Sequence, residues 1–343
     1  MDDPKFHYGM KILIATGIFP PDIGGPAKYA KALFEELSKE GHNVKIVAYR
    51  LEKKLPFGVR QILYFVRIFF AAFRANSIIA LDTVSVGFPA VVASFVLGKK
   101  IVIRTGGDFL WESYLERTRQ ELPLPAFYKI MPKLSFKEKV IARIHQFVLS
   151  YTDYIVFSTA WQRDIWTGFY NVLPEKIRII ENCYSEKKQS NIPSEKVFLG
   201  SARNIVMKNL GVVEEAFLLA KQKVPDIELD LKPYGGEEYE RRLRDCYAVV
   251  IVSLGDISPN TIMEAISFNK PFILTKYNGL QNRLGDYPFI VDPHDIKGVA
   301  KAFVDLSNEV EYRKAIEAVK KISFVHTYGQ IAKEFLQILN NNK

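Results

Sequence analysis

Short apolar runs alternate with segments of helical spacing along nearly the whole chain. The first run, Lys11–Thr16, is followed by a Gly/Pro loop and then by a segment of helical spacing that ends at Gly41. A strand, a helix and another strand in succession favour a parallel sheet with helices on both faces. The pattern predicts strands over 11–16, 44–49, 78–80, 101–104, 154–158, 177–180, 196–200, 227–232, 249–253, 271–275 and 289–291. It predicts helices over 27–41, 57–75, 88–97, 124–147, 209–223 and from 261, with two more after 291.

The alternation is interrupted by a polar stretch over 182–195 that lacks an apolar period and is predicted to be a linker. At 343 residues the chain is long for one hydrophobic core, so two domains are expected. We predict an α/β protein with two tandem Rossmann-like domains over 1–182 and 195–325, with a ligand-binding cleft between them. The helix expected over about 326–343 is a candidate for packing back on the first domain.

The residue content excludes several classes of protein. Two cysteines, Cys183 and Cys246, and five histidines are too few for a disulfide framework or a zinc cluster, and they fit a reducing compartment. No secretory signal is visible, and no apolar stretch free of charges reaches the roughly 20 residues that span a bilayer. We therefore predict a cytoplasmic protein without a transmembrane helix or a metal site.

The net charge of +9 is concentrated in the first half of the chain. Residues 1–182 carry 25 Lys/Arg and 17 Asp/Glu, whereas residues 183–343 carry 22 and 21. Such a surplus favours an acidic partner, namely a phospholipid surface, a polyprenyl-phosphate carrier or nucleic acid. The alternative interpretation is that the surplus only aids solubility.

Three arginines recur every seven residues within an otherwise apolar segment. On a helix, Arg60, Arg67 and Arg74 form a nearly straight cationic stripe. Lys133 and Lys137 lie in a second segment that mixes cations with aromatic residues. These five residues are candidate contacts to an anionic membrane surface. The alternative is a core helix with one solvated seam.

The segment over 256–279 combines two carboxylates with a helix start. Asp256 and Glu264 stand eight residues apart, and Ser258 or Asn260 is expected to cap the helix between them. The start of a helix presents free backbone N–H groups and the positive end of the dipole, which together bind anions. A buried strand follows over 271–275. A phosphate at the helix start and a ribose on a carboxylate would suit a nucleotide diphosphate.

Two glycines, Gly24 and Gly25, follow the first predicted strand. Glycines at this position let the backbone approach a ligand and keep N–H groups available for phosphate. The segment matches neither the G-x-G-x-x-G dinucleotide motif, which disfavours a dehydrogenase, nor a P-loop, since no Gly-Lys-Ser/Thr follows. A plain turn remains the alternative interpretation.

Two cations and an acid follow other predicted strands. Arg203 and Lys208 come after the first strand of the second domain, where both could neutralise a departing diphosphate. A solvated loop is the alternative for this pair. Asp108 ends the segment RTGGD after the strand over 101–104, where it could hold an acceptor hydroxyl or act as a base. The alternative for Asp108 is a cap for the segment that begins at Phe109.

Taken together, these motifs resemble those of the family-4 retaining glycosyltransferases, which have two Rossmann-like domains of the GT-B type. The resemblance covers nearly the whole chain. It depends on FPPDIGGPAKYA near the start, RTGGDFLWE in the first domain, Arg203 with Lys208, and DISPNTIMEAISFNKPFI. The last motif is the most specific, because it matches the family's pattern of two acids eight residues apart.

The resemblance implies a role for each residue. Gly24 and Gly25 would lie by the donor diphosphate, and Arg203 and Lys208 would stabilise the leaving nucleoside diphosphate. Glu264 would bind the donor ribose, Asp256 the transferred sugar, and Asp108 would face the reacting sugars. Residues at the helix start complete the implied donor site: Ser258, Asn260 and Thr261.

Three departures from the family pattern are visible in the sequence. The first acid is Asp256, where the family usually has Glu, so its reach is shorter by one methylene. Only the short segment over 236–247 precedes the strand over 249–253, where relatives have a further strand–helix unit. The second domain is therefore expected to be reduced. No histidine stands in RTGGD, where many relatives have one.

The resemblance implies a metal-independent retaining transferase that moves a sugar from a nucleotide-sugar to a glycan or a polyprenyl-phosphate-linked acceptor. A UDP-sugar is favoured over a GDP-sugar as substrate, no cofactor is expected, and nucleic acid is not expected as a partner. The implied location is the inner face of the cell membrane, as a peripheral protein in polysaccharide or glycolipid assembly. The alternatives are a nucleotide-sugar epimerase or phosphorylase of the same architecture, or a non-catalytic nucleotide-sugar-binding protein.

Overall fold

The computed structural model describes residues 9–341 except 23, 57, 191, 192, 194, 201 and 202. The chain divides into two compact units. The first comprises residues 1–109, 135–181 and 327–343, and the second comprises residues 110–134 and 182–326. The segment over 110–134 lies in the predicted first domain by sequence position, but it packs with the second unit.

The first unit is built on a six-stranded parallel sheet with the order β2-β1-β3-β4-β5-β6. Every neighbouring pair in this sheet is parallel. Its strands are β1 (Lys11–Thr16), β2 (Asn43–Ala48), β3 (Ser77–Ala80), β4 (Lys100–Arg104), β5 (Tyr154–Phe157) and β6 (Ile177–Ile179).

The second unit contains a five-stranded parallel sheet with the order β11-β10-β9-β7-β8. Its strands are β7 (Lys196–Gly200), β8 (Ile227–Asp230), β9 (Ala248–Ile251), β10 (Phe272–Thr275) and β11 (Ile290–Val291). These strands and those of the first sheet correspond to all eleven predicted strands. The predicted α/β class with two Rossmann-like sheets is therefore confirmed.

Helices connect the strands in both units. In chain order they are α1 (Gly25–Lys39), α2 (Val59–Ala72), α3 (Gly87–Leu97), α4 (Phe109–Thr118), α5 (Leu124–Ile130), α6 (Phe136–Tyr151), α7 (Ala160–Thr167), α8 (Leu210–Lys221), α9 (Gly236–Asp245), α10 (Asn260–Ser267), α11 (Gln281–Leu284), α12 (Ile296–Leu306), α13 (Glu309–Lys321) and α14 (Tyr328–Asn340).

The first core lies between one face of the first sheet and helices α2 and α3. Leu13 and Ile78 from the sheet pack there with Tyr64 and Ile68 of α2 and with Ala90 of α3, and all five are buried. Burial of such residues removes apolar surface from water and stabilises the unit. The last helix, α14, belongs to the same unit and packs on α1.

In two regions the predicted number of helices is wrong. The single helix predicted over 124–147 is two helices, α5 and α6, because the chain turns at Met131 (φ 42°) before Pro132. A residue before proline is disfavoured in the helical conformation, and proline cannot donate a helical hydrogen bond. Three helices rather than two follow β11, and Asn308 and Thr327 cap the second and third with their side chains.

The predicted linker is held closely to the second unit. Tyr184 pairs with His326 in an antiparallel bridge, with N–O distances of 2.8 and 3.0 Å. The Nζ of Lys187 donates to the carbonyls of Ile266 and Val319. The first residues of the polar stretch thus fold as part of the second unit.

Candidate functional site

Two loops meet at one edge of the second sheet. Strands β7 and β9 are parallel neighbours, so their carboxyl ends lie side by side. The loop after β7 leads to a short 3-10 turn, Val206–Lys208, and the loop after β9 leads to α10. The amide of Leu254 donates to the carbonyl of Met207 at 2.9 Å and joins the two loops. In parallel α/β sheets this edge is where ligands bind.

Lys208 and Asp256 form an ion pair at this edge. Lys208 Nζ lies 2.8 Å from Asp256 Oδ2, and the two side chains are only 10% and 13% exposed. Ser253 Oγ lies 3.5 Å from the same carboxylate oxygen. Because the ammonium group has three donors, Lys208 can hold Asp256 and still contact a bound anion.

The backbone of Asp256 is fixed on both sides. Its amide donates to the carbonyl of Tyr277 at 2.9 Å, and its carbonyl accepts from the amide of Gly279 at 3.1 Å. These two hydrogen bonds form an isolated parallel bridge between Asp256 and Asn278, in the turn that follows β10. The carboxylate is therefore held in place by its neighbours in both loops.

Among the described residues no side chain caps the start of α10, so the predicted capping role of Ser258 or Asn260 is wrong. Asn182 Nδ2 instead donates to Ser258 Oγ and to Asn260 Oδ1, both at 3.0 Å. The amides of the first turn of a helix have no partner within the helix. In the part of the chain that the structure describes, the third and fourth amides of α10 donate to the carbonyl of Pro259, and the first two have no side-chain cap.

Glu264 lies in the second turn of α10 and is held by a residue of α9. Tyr239 Oη donates to Glu264 Oε2 at 3.0 Å. Burial, followed by the charge of Glu264, raises the pKa of Tyr239, so the phenol stays protonated and acts as a donor. A carboxylate accepts several hydrogen bonds, so Glu264 can bind hydroxyl groups in addition to Tyr239.

Arg203 lies on the same loop as Lys208 but does not join this network. Its side chain is exposed, and among the described residues no contact links it to Asp256 or Glu264. The carbonyl of Arg203 accepts from the amide of Ile205 at 3.0 Å, which shapes the loop. The predicted role of Arg203 at the diphosphate stays a prediction.

Gly24 and Gly25 mark the start of α1 in the first unit. Gly24 has φ 138°, a conformation that favours glycine, and Gly25 is the first residue of the helix. Among the described residues, no side chain caps the start of α1. A Cβ at Gly24 would meet Ile18 and Pro26 at ordinary contact distance, so the backbone conformation rather than crowding favours glycine there.

Asp108 is fully buried in the first unit. Its Oδ2 accepts from Trp166 Nε1 at 2.7 Å, and the Trp166 ring packs against His145 with centroids 5.1 Å apart. His145 Nδ1 in turn contacts Tyr170 Oη at 3.1 Å, and burial lowers the pKa of His145 to about 3. In this conformation the carboxylate of Asp108 is occupied by protein donors, which suits a group that positions the 104–108 segment.

The five predicted membrane contacts differ in their surroundings. Arg60 donates to the carbonyls of Leu55 and Lys53. Arg67 donates to the carbonyl of Ala48 and pairs with the buried carboxylate of Glu52. Three are exposed: Arg74, Lys133 and Lys137. No helix in the described part of the chain is long and apolar enough to cross a membrane.

Sequence reasoning missed Asn182 and Tyr239. Asn182 is the first residue of the predicted linker, and nothing in its neighbours indicates a contact 76 residues away. Tyr239 lies in the segment treated as a short connection, but Tyr239 and Leu243 have the four-residue spacing of a helix face. Among the described residues, no group of three or more His, Cys, Asp or Glu side chains is arranged to hold a metal ion.

Comparison with known proteins shows similarity in structure only. No protein-family model matches the chain, and no curated protein matches it in sequence. Solved structures do match over 96% of this chain. Anabaena HepE, solved with UDP and glucose, has a TM-score of 0.65 at 13% identity, with 99% of its chain covered. Sucrose-phosphate synthase from Thermosynechococcus elongatus has a TM-score of 0.67 at 13% identity, with 98% covered.

A third match is the catalytic domain of starch synthase IV from Arabidopsis thaliana, solved with ADP and acarbose. Its TM-score is 0.63 at 10% identity, with 99% of its chain covered. At these identities the similarity establishes a fold. The chain has the GT-B fold, in which two Rossmann-like domains follow one another along the chain.

Proposed function

We propose that this protein is a retaining glycosyltransferase that moves a sugar from a nucleotide-sugar donor to a glycan or lipid-linked acceptor. The observation that carries the proposal is the edge of the second sheet, where Lys208, Asp256 and the uncapped start of α10 come together. A cation and a helix start suit a diphosphate, and the carboxylate suits a sugar hydroxyl.

The donor diphosphate would lie against the first turn of α10 and Lys208. Negative charge grows on the nucleoside diphosphate as the sugar leaves, so donors fixed before the reaction stabilise the transition state more than the bound substrate. Lys208 is fixed by Asp256. Arg203, exposed on the same loop, is proposed to reach the departing phosphate when donor is bound.

Glu264 is proposed to bind the ribose of the donor. Tyr239 orients its carboxylate by a hydrogen bond of 3.0 Å, and a carboxylate can accept several hydrogen bonds, including those of ribose hydroxyls. We favour a UDP-sugar over a GDP-sugar. HepE was solved with UDP, which is consistent with this choice, whereas starch synthase IV was solved with ADP. Gly24 and Gly25 are proposed to lie by the diphosphate through the start of α1.

The reaction is proposed to proceed without a covalent intermediate or a metal. The acceptor oxygen forms a bond to donor C1 on the face from which the phosphate departs. The bond from C1 to the phosphate oxygen breaks, its electron pair stays on that oxygen, and the acceptor proton passes to it. Asp256 would orient the transferred sugar, and Asp108, held by Trp166, would position the 104–108 segment.

We propose a role in the assembly of cell-surface polysaccharide or glycolipid, with the protein bound peripherally at the inner face of the cell membrane. The proposal is supported by the positive net charge of the first unit, whose residues include 23 Lys/Arg and 15 Asp/Glu. A positively charged surface concentrates anionic carriers such as polyprenyl phosphates and is attracted to anionic lipid.

A donor panel tests the proposal. Thermal unfolding is measured with UDP-, GDP- and ADP-sugars, and a bound donor raises the midpoint. Glu264→Ala is expected to weaken donor binding at least about tenfold, since hydrogen bonds to a charged group contribute roughly 1.5–3 kcal/mol each. Glu214→Ala, at an exposed position of α8, is the matched control.

The chemical step is tested separately by release of nucleoside diphosphate with and without acceptor, and by the anomeric configuration of the product. Acceptor-dependent release with the donor's configuration is expected. Inversion would overturn the retaining mechanism. Donor binding without acceptor-dependent release would indicate a binding protein, and conversion of the donor alone would indicate an epimerase.

A further inference from the structure

Helix α2 is apolar on two opposite faces. One face, which includes Tyr64, Ile68 and Ala72, is buried in the first core. The opposite face consists of large apolar side chains that are exposed: Val59, Ile62, Leu63, Val66, Phe70 and Phe73. Ile62, Phe70 and Phe73 are 67%, 71% and 69% exposed. We call these six residues the α2 surface.

The α2 surface is continuous along the helix. At 3.6 residues per turn its six members fall within an arc of about 100°. Arg60, Arg67 and Arg74 follow one border of this arc, within about 60° of its edge. Single exposed apolar residues are common on soluble proteins, but a contiguous apolar stripe over four turns marks an interaction surface.

The same end of the unit carries further exposed apolar groups. Helices α2, α3 and α6 each lead into a strand of one parallel sheet, so their C-terminal ends lie at the same sheet edge. Phe95 and Val96 at the end of α3 are exposed, and the Phe95 ring packs against Tyr151 at the end of α6 with centroids 5.7 Å apart. Phe70 and Phe73 lie at the corresponding end of α2.

The charged residues of helix α2 and of its C-terminal end are all positive. Residues 59–74 include Arg60, Arg67 and Arg74 and no acid. The carboxylate of Glu52, which pairs with Arg67, is buried. A second copy of the chain placed here would bring two cationic borders together, which is unfavourable, whereas an anionic surface would complement them.

We propose that the α2 surface is the membrane-binding face of the protein and that its partner is an anionic lipid bilayer. Helix α2 lies in the plane of the interface, with Ile62, Phe70 and Phe73 inserted at the boundary between headgroups and acyl chains. Arg74, exposed at the helix end, contacts lipid phosphates, whereas Arg60 and Arg67 are held by the protein's own carbonyls. This inference deepens the membrane location in the proposed function and depends on it.

Vesicle sedimentation without any sugar donor tests the surface. Wild-type protein is mixed with phosphatidylcholine vesicles with and without phosphatidylglycerol. The double variant Ile62→Glu/Phe70→Glu is expected to bind the anionic vesicles at least about tenfold more weakly, because it loses the insertion of two large apolar side chains. The matched control is Leu218→Glu on α8 of the second unit, where the side chain is 63% exposed; it is expected to bind as wild type does.

A second variant keeps the surface apolar. Phe70→Trp is expected to show a blue shift in fluorescence on adding anionic vesicles, and Leu218→Trp is expected to show none. Binding that survives Ile62→Glu/Phe70→Glu, or an unshifted Phe70→Trp, would overturn the proposal. So would a wild-type dimer that the double variant dissociates, without vesicle binding, because the partner would then be a second copy.

The donor site is checked in the same preparations. Thermal stabilisation by the best donor of the panel is expected to be unchanged in Ile62→Glu/Phe70→Glu. Loss of vesicle binding with intact donor binding supports the membrane face. If wild-type protein binds donor but no vesicles, only the proposed membrane face is refuted. If it binds vesicles but no donor, only the proposed transferase function is refuted.

Discussion

Neutralising the two partners of the Lys208–Asp256 pair separately should have opposite effects on nucleotide binding. In Lys208→Met a diphosphate would lose a cation and face the remaining carboxylate. In Asp256→Asn the anion would lose a nearby negative charge, while Lys208, previously 2.8 Å from that carboxylate, would be released to it. Comparing the two variants therefore distinguishes the residue that binds the leaving diphosphate from the residue that binds the transferred sugar.

The magnitudes follow from the contacts. A charge-assisted hydrogen bond contributes roughly 1.5–3 kcal/mol, so Lys208→Met should weaken UDP binding about 10- to 100-fold. Asp256→Asn should leave UDP affinity unchanged or raise it by up to about tenfold, since removing a like charge near a surface is worth about 1 kcal/mol. Turnover should nevertheless fall in Asp256→Asn, because the transferred sugar loses its carboxylate.

Stability provides an independent measure of the same pair. Both side chains are mostly buried, so removing either partner leaves a poorly solvated charge and should cost about 1–3 kcal/mol. The double variant Lys208→Met/Asp256→Asn should cost less than the sum of the two single variants. Lys301→Met, which removes the exposed pair with Asp305 on α12, is the control and should cost less than about 1 kcal/mol.

The comparison is made by calorimetry with UDP and by denaturant unfolding of wild type and the four variants. Equal weakening of UDP binding by Lys208→Met and Asp256→Asn would refute the reasoning, because the carboxylate would then assist the phosphate rather than compete for the lysine. Additive losses of stability would show that the two side chains do not interact in solution.

Two further predictions concern buried polar groups. Asn182→Ala should weaken nucleotide binding about threefold to tenfold, because Ser258 and Asn260 are released to cap α10 and compete with phosphate for the first-turn amides. Adding Ser258→Ala should restore part of the affinity, and calorimetry showing no loss in Asn182→Ala would count against this role. His145 is buried with its pKa lowered to about 3 from an unfolded value near 6.5, so its stabilising contribution is complete above pH 6.5 and is lost as pH falls toward 3. Between pH 7 and pH 5 the free energy of unfolding of wild type should fall by about 2 kcal/mol more than that of His145→Phe. An equal change in both proteins would contradict this. His294→Gln, at an exposed position, is the control.

The fold class was predictable because the central strands of a doubly wound sheet are buried on both faces. Buried parallel strands are short, continuous apolar runs, and all eleven were visible. Helix boundaries were less predictable where a local turn interrupts an otherwise helical pattern. Met131-Pro132 ends α5, yet the flanking residues alone favour one helix, and only the proline indicates the break.

The site was predictable in part. Lys208 and Asp256 each follow a strand, and parallel strands bring their carboxyl ends to one edge. The sequence does not reveal that β7 lies beside β9, which is what places the two side chains 2.8 Å apart. Asn182 and Tyr239 were not predictable, because their contacts depend on how distant segments pack and not on any local pattern.

Helix α2 shows what a periodic pattern leaves open about which side chains of a helix are buried. Spacing by seven correctly places Arg60, Arg67 and Arg74 on one side, but in a helix that is apolar all round it cannot tell which apolar face meets the sheet. Only packing decides this. Once Tyr64 and Ile68 occupy the core, the arginines lie at a border where nearby carbonyls accept from two of them. The opposite apolar face is then left in water, and it is this face, more than the cations, that has free energy to gain from a lipid surface.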